Sequence, residues 1–168
     1  RITRNVLDKA KFIETDLNEL IHEIVSLPGY QIRVDNIEIV FELDSSIPTI
    51  LAQPDELMRA FLNITHNAHQ ALTMSEGRDR KFTVRSRLRG EMVEIEFEDN
   101  GVGISAEIRD KVFDPFFTTH SIGEGMGLGL SVVYGVIQDH GGDITLSSEV
   151  GRGTTMTIEF PLQRVSQP

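Results

Sequence analysis

Residues 54–99 carry the pattern that most narrows what this chain can fold into. Pro54 suits the first turn of a helix. Leu57, Phe61, Ile64, Ala68, Ala71 and Leu72 then recur on one face. The spacing predicts a helix running to about Ser75. A polar connector, Glu76 to Arg80 with Gly77 inside it, leads to two alternating runs, Lys81–Arg89 and Glu91–Asp99, around Gly90. Phe82 and Val84, then Val93, Ile95 and Phe97, mark the apolar face of a strand pair. A one-faced helix beside a one-faced hairpin buries both faces most simply by packing one on the other.

The flanking segments extend this arrangement. Residues 1–27 read as helical with a break inside them; Asp16 is a plausible N-cap for Leu17, Leu20, Ile21, Ile24 and Val25, and Pro28-Gly29 stops the run. Glu38–Leu43 alternates like a half-buried strand. A loop with Ser45, Ser46 and Pro48 follows, then a short apolar stretch around Ile50. Asn100 to Met126 is irregular apart from a short helix near Ala106–Val112. A helix from about Gly127 to His140 stops at Gly141-Gly142, and Asp143–Glu149 and Thr154–Phe160 close the chain as strands. The order predicts an α+β two-layer sandwich, a mixed sheet of about five strands packed on about three helices. There are no repeats.

The bulk composition agrees. A chain of 168 residues, 39% hydrophobic and 25% charged, suits one soluble globular domain. No apolar run approaches the roughly 20 residues of a membrane span. The opening at Arg1, without a signal peptide, reads as the middle of a longer protein. The net charge of −10 argues against a general nucleic-acid surface. No cysteine is present, so disulfides and thiolate metal sites are excluded.

Four segments hold residues that the fold alone does not ask for. Asn63 and Asn67 stand at i and i+4 in the long helix, where Asn is a poor interior residue. An amide oxygen suits Mg²⁺, and a pair of solvated polar residues would read the same way. Asp99-Asn100-Gly101-Val102-Gly103 follows a strand directly. Its carboxylate can accept from an exocyclic amine, and its glycines would let a ligand approach the backbone; an ordinary glycine-rich turn is the plain alternative. Gly123 to Leu130 leads into a helix and frees backbone N–H groups for phosphate. It is neither a Walker loop nor a Rossmann fingerprint. Gly127 and Gly129 would weaken a helix by roughly 1 kcal/mol each, so function explains them better. Gly151-Arg152-Gly153-Thr154-Thr155 by itself reads as a turn.

Together, in this order, the segments resemble the GHKL superfamily of ATP-binding domains, the Bergerat fold. Asn63–Ala71 is similar to its N box, Asp99–Gly103 to G1, Phe113-Asp114-Pro115-Phe116-Phe117-Thr118-Thr119 to the F box, and Gly125–Ser131 to G2. His140-Gly141-Gly142 and Gly151-Arg152-Gly153-Thr154 complete the match, which runs from about Asp16 to Leu162. The F box points to sensor histidine kinases. The Asn-Ala-x-Gln-Ala form looks like their nitrogen-regulation and oxygen-sensing subfamilies.

The resemblance implies roles. Asn67 would be the Mg²⁺ ligand and Asn63 a neutral group where ATP-hydrolysing relatives carry a water-activating Glu. Asp99 would read the exocyclic amine of adenine, supported through water by Thr154. Gly101, Gly103 and Ile104 would line the adenine pocket. Gly125, Gly127, Leu128, Gly129 and Leu130 would offer N–H groups to the phosphates, with Met126 in the same loop. Asp114 to Met126 would form a lid anchored by Phe116 and Phe117, with Thr118 and Thr119 beside the nucleotide. Gln70 and Ala71 replace a Lys and an aromatic common in relatives, and His120 replaces a Lys after Phe-Phe-Thr-Thr, so cationic phosphate contacts look thin. His66 is expected to be structural or exposed.

The acceptor motif of the family, His-Asp/Glu-x-x-Asn/Thr-Pro, is absent; His22 stands in His-Glu-Ile-Val. Residues 1–15 are expected to be the tail of a preceding dimerisation helix or its linker, 16–163 the catalytic domain, and 164–168 a tail. The implied function is binding of Mg²⁺ and ATP and phosphoryl donation to a histidine on that separate dimerisation domain. The response regulator receives the group next. The implied setting is cytoplasmic and the fragment monomeric, without nucleic-acid or membrane contact and without autophosphorylation on its own. Alternatives are an anti-sigma-type serine kinase, a non-catalytic nucleotide-binding module, and an ATPase of the topoisomerase or chaperone type.

Overall fold

The structure, a computed structural model, describes residues 12–26, 35–76, 79–114 and 129–162. The elements run β1 (Ile13–Thr15), α1 (Leu17–Ser26), β2 (Ile37–Leu43), β3 (Ile50–Ala52), α2 (Pro54–Thr73), β4 (Arg80–Arg89), β5 (Met92–Asp99), α3 (Ala106–Arg109), α4 (Leu130–Asp139), β6 (Asp143–Glu149) and β7 (Gly153–Pro161). A five-stranded sheet has the order β2-β4-β5-β7-β6. Its β2–β4 pair is parallel and the other pairs are antiparallel. The mixed sheet and its helical layer match the predicted α+β sandwich.

The central hairpin forms as its alternation predicts. Gly90 takes φ +61° at the reversal, and Phe82, Val84, Val93, Ile95 and Phe97 are all buried beneath the helices. α2 packs across β4 and β5, with α4 alongside it and reaching β6. Phe61 of α2 meets Phe97 of β5 with ring centroids 5.4 Å apart. The opposite face of the sheet is charged. Arg85 lies 2.7 Å from both Glu42 and Glu98, and Arg87 lies 2.6 Å from Glu94. Alternation therefore sorts the sheet into an apolar face under helices and an ion-paired face outside.

One local reading is corrected and one is sharpened. Residues 13–15, expected to be helical, form β1 and pair antiparallel with β3. The Glu19 N–H donates to the Asp16 carboxylate at 3.1 Å, so the cap starts α1 at Leu17. That leaves the residues before it free to pair and to bury Thr15 beside Ile50. Gly129, expected in or at the start of a helix, is the cap that starts α4, with φ +57°. A glycine needed for a left-handed cap carries no helix-interior penalty, so the cap itself accounts for Gly129.

His140 ties the two long helices together. Its Nδ1 donates to the Val136 carbonyl at 2.7 Å, and its Nε2 accepts the Gln53 N–H at 3.0 Å. Gln53 is the N-cap residue of α2, and His140 ends α4. The same imidazole packs against Phe12 and Phe160.

Candidate functional site

β5 ends on Asp99, and Thr154 of β7 stands opposite it in the ladder. Asp99 is 8% exposed. Its carboxylate accepts the Gly101 N–H at 2.9 Å and the Thr154 N–H. Burial pushes its pKa up to about 7, against those two bonds, which favour the ionised form; the neighbouring Glu98 adds to the rise. A carboxyl titrating near neutrality at the floor of a cleft is a mark of a functional site.

The cleft has an empty volume of about 340 Å³, its open mouth included. α2 contributes Ile64, Asn67, Ala68 and Ala71; β5 contributes Phe97 and Asp99; β7 contributes Thr154 and Met156; Ile104 closes one side. Apolar walls with a few convergent polar groups suit a flat organic ligand with one polar edge. Asn67, 5% exposed, lines this cleft. Asn63, one turn earlier and half-buried, donates from Nδ2 to the Gly129 carbonyl at 3.4 Å. The Asn pair thus shares a face as expected and joins the cleft to the start of α4. His66 is exposed on another side of α2. Gln70 is half-buried, and its amide oxygen is enclosed without a hydrogen-bond partner among the described residues.

The glycines meet a packing need beside the room for a ligand read in the sequence. A Cβ on Gly101 would lie 2.7 Å from the main chain of Ala71, and the Val102 N–H bonds the Ala71 carbonyl at 3.3 Å. A Cβ on Gly103 would collide with the Glu149 carbonyl. Gly151 N–H bonds the Val102 carbonyl at 2.9 Å. The glycines let three chain segments close on one another behind Asp99. The Gly151–Thr154 turn is therefore a wall of the site, beyond the simple reversal it resembles.

Of the expected ligand-contacting residues, Asn67, Ala71, Asp99, Ile104 and Thr154 line the cleft. Leu130 is buried in the first turn of α4. Phe116, Thr118, Thr119, Gly125, Met126, Gly127 and Leu128, with His120, lie outside the described residues. Ile64, Ala68, Phe97 and Met156 were legible only as core. Their offsets of two from Asp99 and Thr154, and of one from Asn63 and Asn67, were the available signal. Ser148 escaped the sequence reading altogether, though it bonds Ile104, Gly153 and Thr154.

Residues 52–164 match the family described as histidine kinase-, DNA gyrase B-, and HSP90-like ATPase. The chain belongs to this family. Within the family it is an ATP-binding catalytic domain of the sensor histidine kinase kind. Sensor histidine kinase ZraS of Escherichia coli (strain K12) is 37% identical over 147 residues, 88% of this chain and 30% of ZraS. The chain thus spans less than a third of that relative's length. The catalytic domain of histidine kinase ThkA superposes with a TM-score of 0.77 at 33% identity, covering 89% of this chain and 95% of that domain. ThkA in complex with response regulator protein TrrA gives 0.74 at 30%, covering 96% and 46%. Full-length ShkA in complex with AMPPNP gives 0.77 at 25%, covering 93% and 32%. The fold expected from sequence is the fold these family members share. No described helix is long and apolar enough to cross a membrane.

Proposed function

We propose that the domain holds Mg·ATP with adenine in the Asp99 cleft and the triphosphate along Asn67, Asn63 and the start of α4. From there it donates the γ-phosphoryl group to a histidine on a separate dimerisation domain. The observation that carries this reading is the pairing, in one apolar cleft, of a buried carboxylate on β5 with a buried amide on α2.

The residue types divide the work. Asp99 accepts from the exocyclic amine of the base, while Ile64, Phe97, Ile104 and Met156 enclose its rings. Among the described residues no cluster of three or more His, Cys, Asp or Glu could hold a metal ion. Asn67 offers one hard oxygen, so it fits Mg²⁺ only when phosphate oxygens and water complete the shell. The ion, when bound, neutralises charge on the triphosphate. Asn63, an amide with no basic group, leaves a water unactivated. The N-terminus of α4 presents N–H groups suited to phosphate.

Transfer itself is positioning. A neutral imidazole nitrogen of the acceptor forms the N–P bond as the bond from the γ-phosphorus to its bridging oxygen breaks. ADP leaves with that electron pair, and the imidazolium releases its proton to solvent. A response-regulator aspartate is the onward acceptor. The catalytic unit takes in β1, which pairs with β3, and runs to residue 163, with the residues ahead of β1 leading from the dimerisation domain and 164–168 a tail. The setting is cytoplasmic, with the isolated domain monomeric.

A transfer assay tests this. The domain is mixed with Mg·ATP and a separately produced helical hairpin bearing the acceptor histidine. Phosphohistidine should form, and Asn67→Ala should abolish it. Label on serine, or none with a hairpin known to accept, would overturn the transferase reading.

A further inference from the structure

The hydroxyl of Ser148 joins three segments around the cleft. Ser148 stands opposite Thr154 in the β6–β7 ladder. Its Oγ accepts the Ile104 N–H at 2.7 Å, donates to the Gly153 carbonyl at 3.0 Å, and lies 2.8 Å from Thr154 Oγ1. A serine hydroxyl has a single proton. The Gly153 carbonyl can only accept, so the Ser148 proton is directed there. The proton between Ser148 and Thr154 must then come from Thr154.

This fixes the polarity of the cleft. With its proton turned to Ser148, Thr154 Oγ1 offers only lone pairs to a ligand. Asp99, already accepting from Gly101 and Thr154 N–H groups, is an acceptor when ionised. The two polar groups at this end of the cleft therefore both present acceptors. An exocyclic amino group supplies donors and matches them; a carbonyl at the same ring position presents lone pairs against lone pairs.

We propose that Ser148 is a positioning residue that sets base specificity, holding Thr154 as an acceptor so that the cleft takes 6-amino purines and rejects 6-oxo purines. The proposal rests on the nucleotide reading given above. Ser148 reaches the base only through Thr154. Its loss lets the Thr154 hydroxyl rotate and donate to a carbonyl, so discrimination falls even where overall affinity is kept.

The test is calorimetric titration of the whole chain with ATP and with inosine triphosphate, which differ at the 6-position and the adjoining ring nitrogen. Wild type should favour ATP. Ser148→Ala should cut the ATP-to-inosine-triphosphate affinity ratio about fivefold or more, the scale of one hydrogen bond. Ser148→Thr, which keeps the hydroxyl, should retain the ratio. Thr154→Val should lower it to the level of Ser148→Ala, and the double variant should go no further. Circular dichroism checks that each variant is folded, and Thr154→Val carries the test should Ser148→Ala not fold. A merely structural Ser148 would weaken both nucleotides equally, and an unchanged ratio in Ser148→Ala or Thr154→Val overturns the proposal while the nucleotide reading stands. Failure of wild type to bind either nucleotide overturns that reading, and this one with it.

Discussion

Gly153 rests against the main-chain carbonyl of Asp99, so closely that a β-carbon there would collide with that oxygen and lie 2.8 Å from the Asn100 α-carbon. Its φ of +131° is one that side chains rarely adopt. The turn carrying Thr154 can therefore reach the buried carboxylate only because residue 153 has no side chain.

Substitution at the two turn glycines should separate closeness from conformation. Gly153→Ala meets both a collision and an unfavourable φ, and should cost about 3 kcal/mol or more. It should also displace Asp99 and weaken nucleotide binding. Gly151→Ala has φ +86° but open space around it, and should cost about 1–2 kcal/mol. Urea unfolding of the two variants measures the difference; equal costs would deny the close approach its role.

If the proposed role of Asp99 holds, nucleotide binding should depend on pH. The carboxylate accepts from an exocyclic amine more strongly than the protonated acid does, and burial holds the carboxyl at about 7. ADP affinity should be weaker at pH 6 than at pH 8, by up to about tenfold, once the nucleotide's own protonation is subtracted. The ligand-free protein should show the opposite trend in stability. Between pH 4 and 7 the folded state holds a proton that the unfolded chain releases, so stability falls as pH rises through that window. Asp99→Asn should flatten this slope in a denaturation series across pH, and an unchanged slope would place the titration elsewhere.

Much of the architecture was legible because its signals are local. The stripe of α2 and the alternation of β4 and β5 sit within short windows, and Asn63 and Asn67 declare a shared face by spacing alone. The β1–β3 pair was not legible. Three residues carry little period, and the partner lies beyond a helix and a strand. The cleft walls were hidden for another reason: Ile64, Phe97 and Met156 repeat like any core residue, because an apolar cleft continues the core. The glycines were recognised, but their packing role was not, since the contacts that require it come from Ala71, Glu149 and Asp99, distant in sequence. Ser148, a small polar residue near a strand end, looks solvated until its three partners are placed around it.

His140 should matter for stability. Its neutral ring carries the proton on Nδ1, because the Val136 carbonyl needs a donor and the Gln53 N–H needs an acceptor. His140→Ala removes both bonds and the packing on Phe12 and Phe160, at a cost of about 2–4 kcal/mol. Denaturant unfolding measures the loss. Nitrogen-15 spectra of the wild-type imidazole should report the Nδ1–H tautomer, and the other tautomer would refute the arrangement.

On the proposed function, adenine nucleotides bind in the cleft floored by Asp99. Calorimetric titration of the chain with ATP in magnesium buffer, set beside the same titration of Asp99→Ala checked for fold, tests it most directly. Wild type should show saturable one-site binding, and the variant should lose it. No heat with wild type, or equal affinity in the two proteins, would contradict the proposed function.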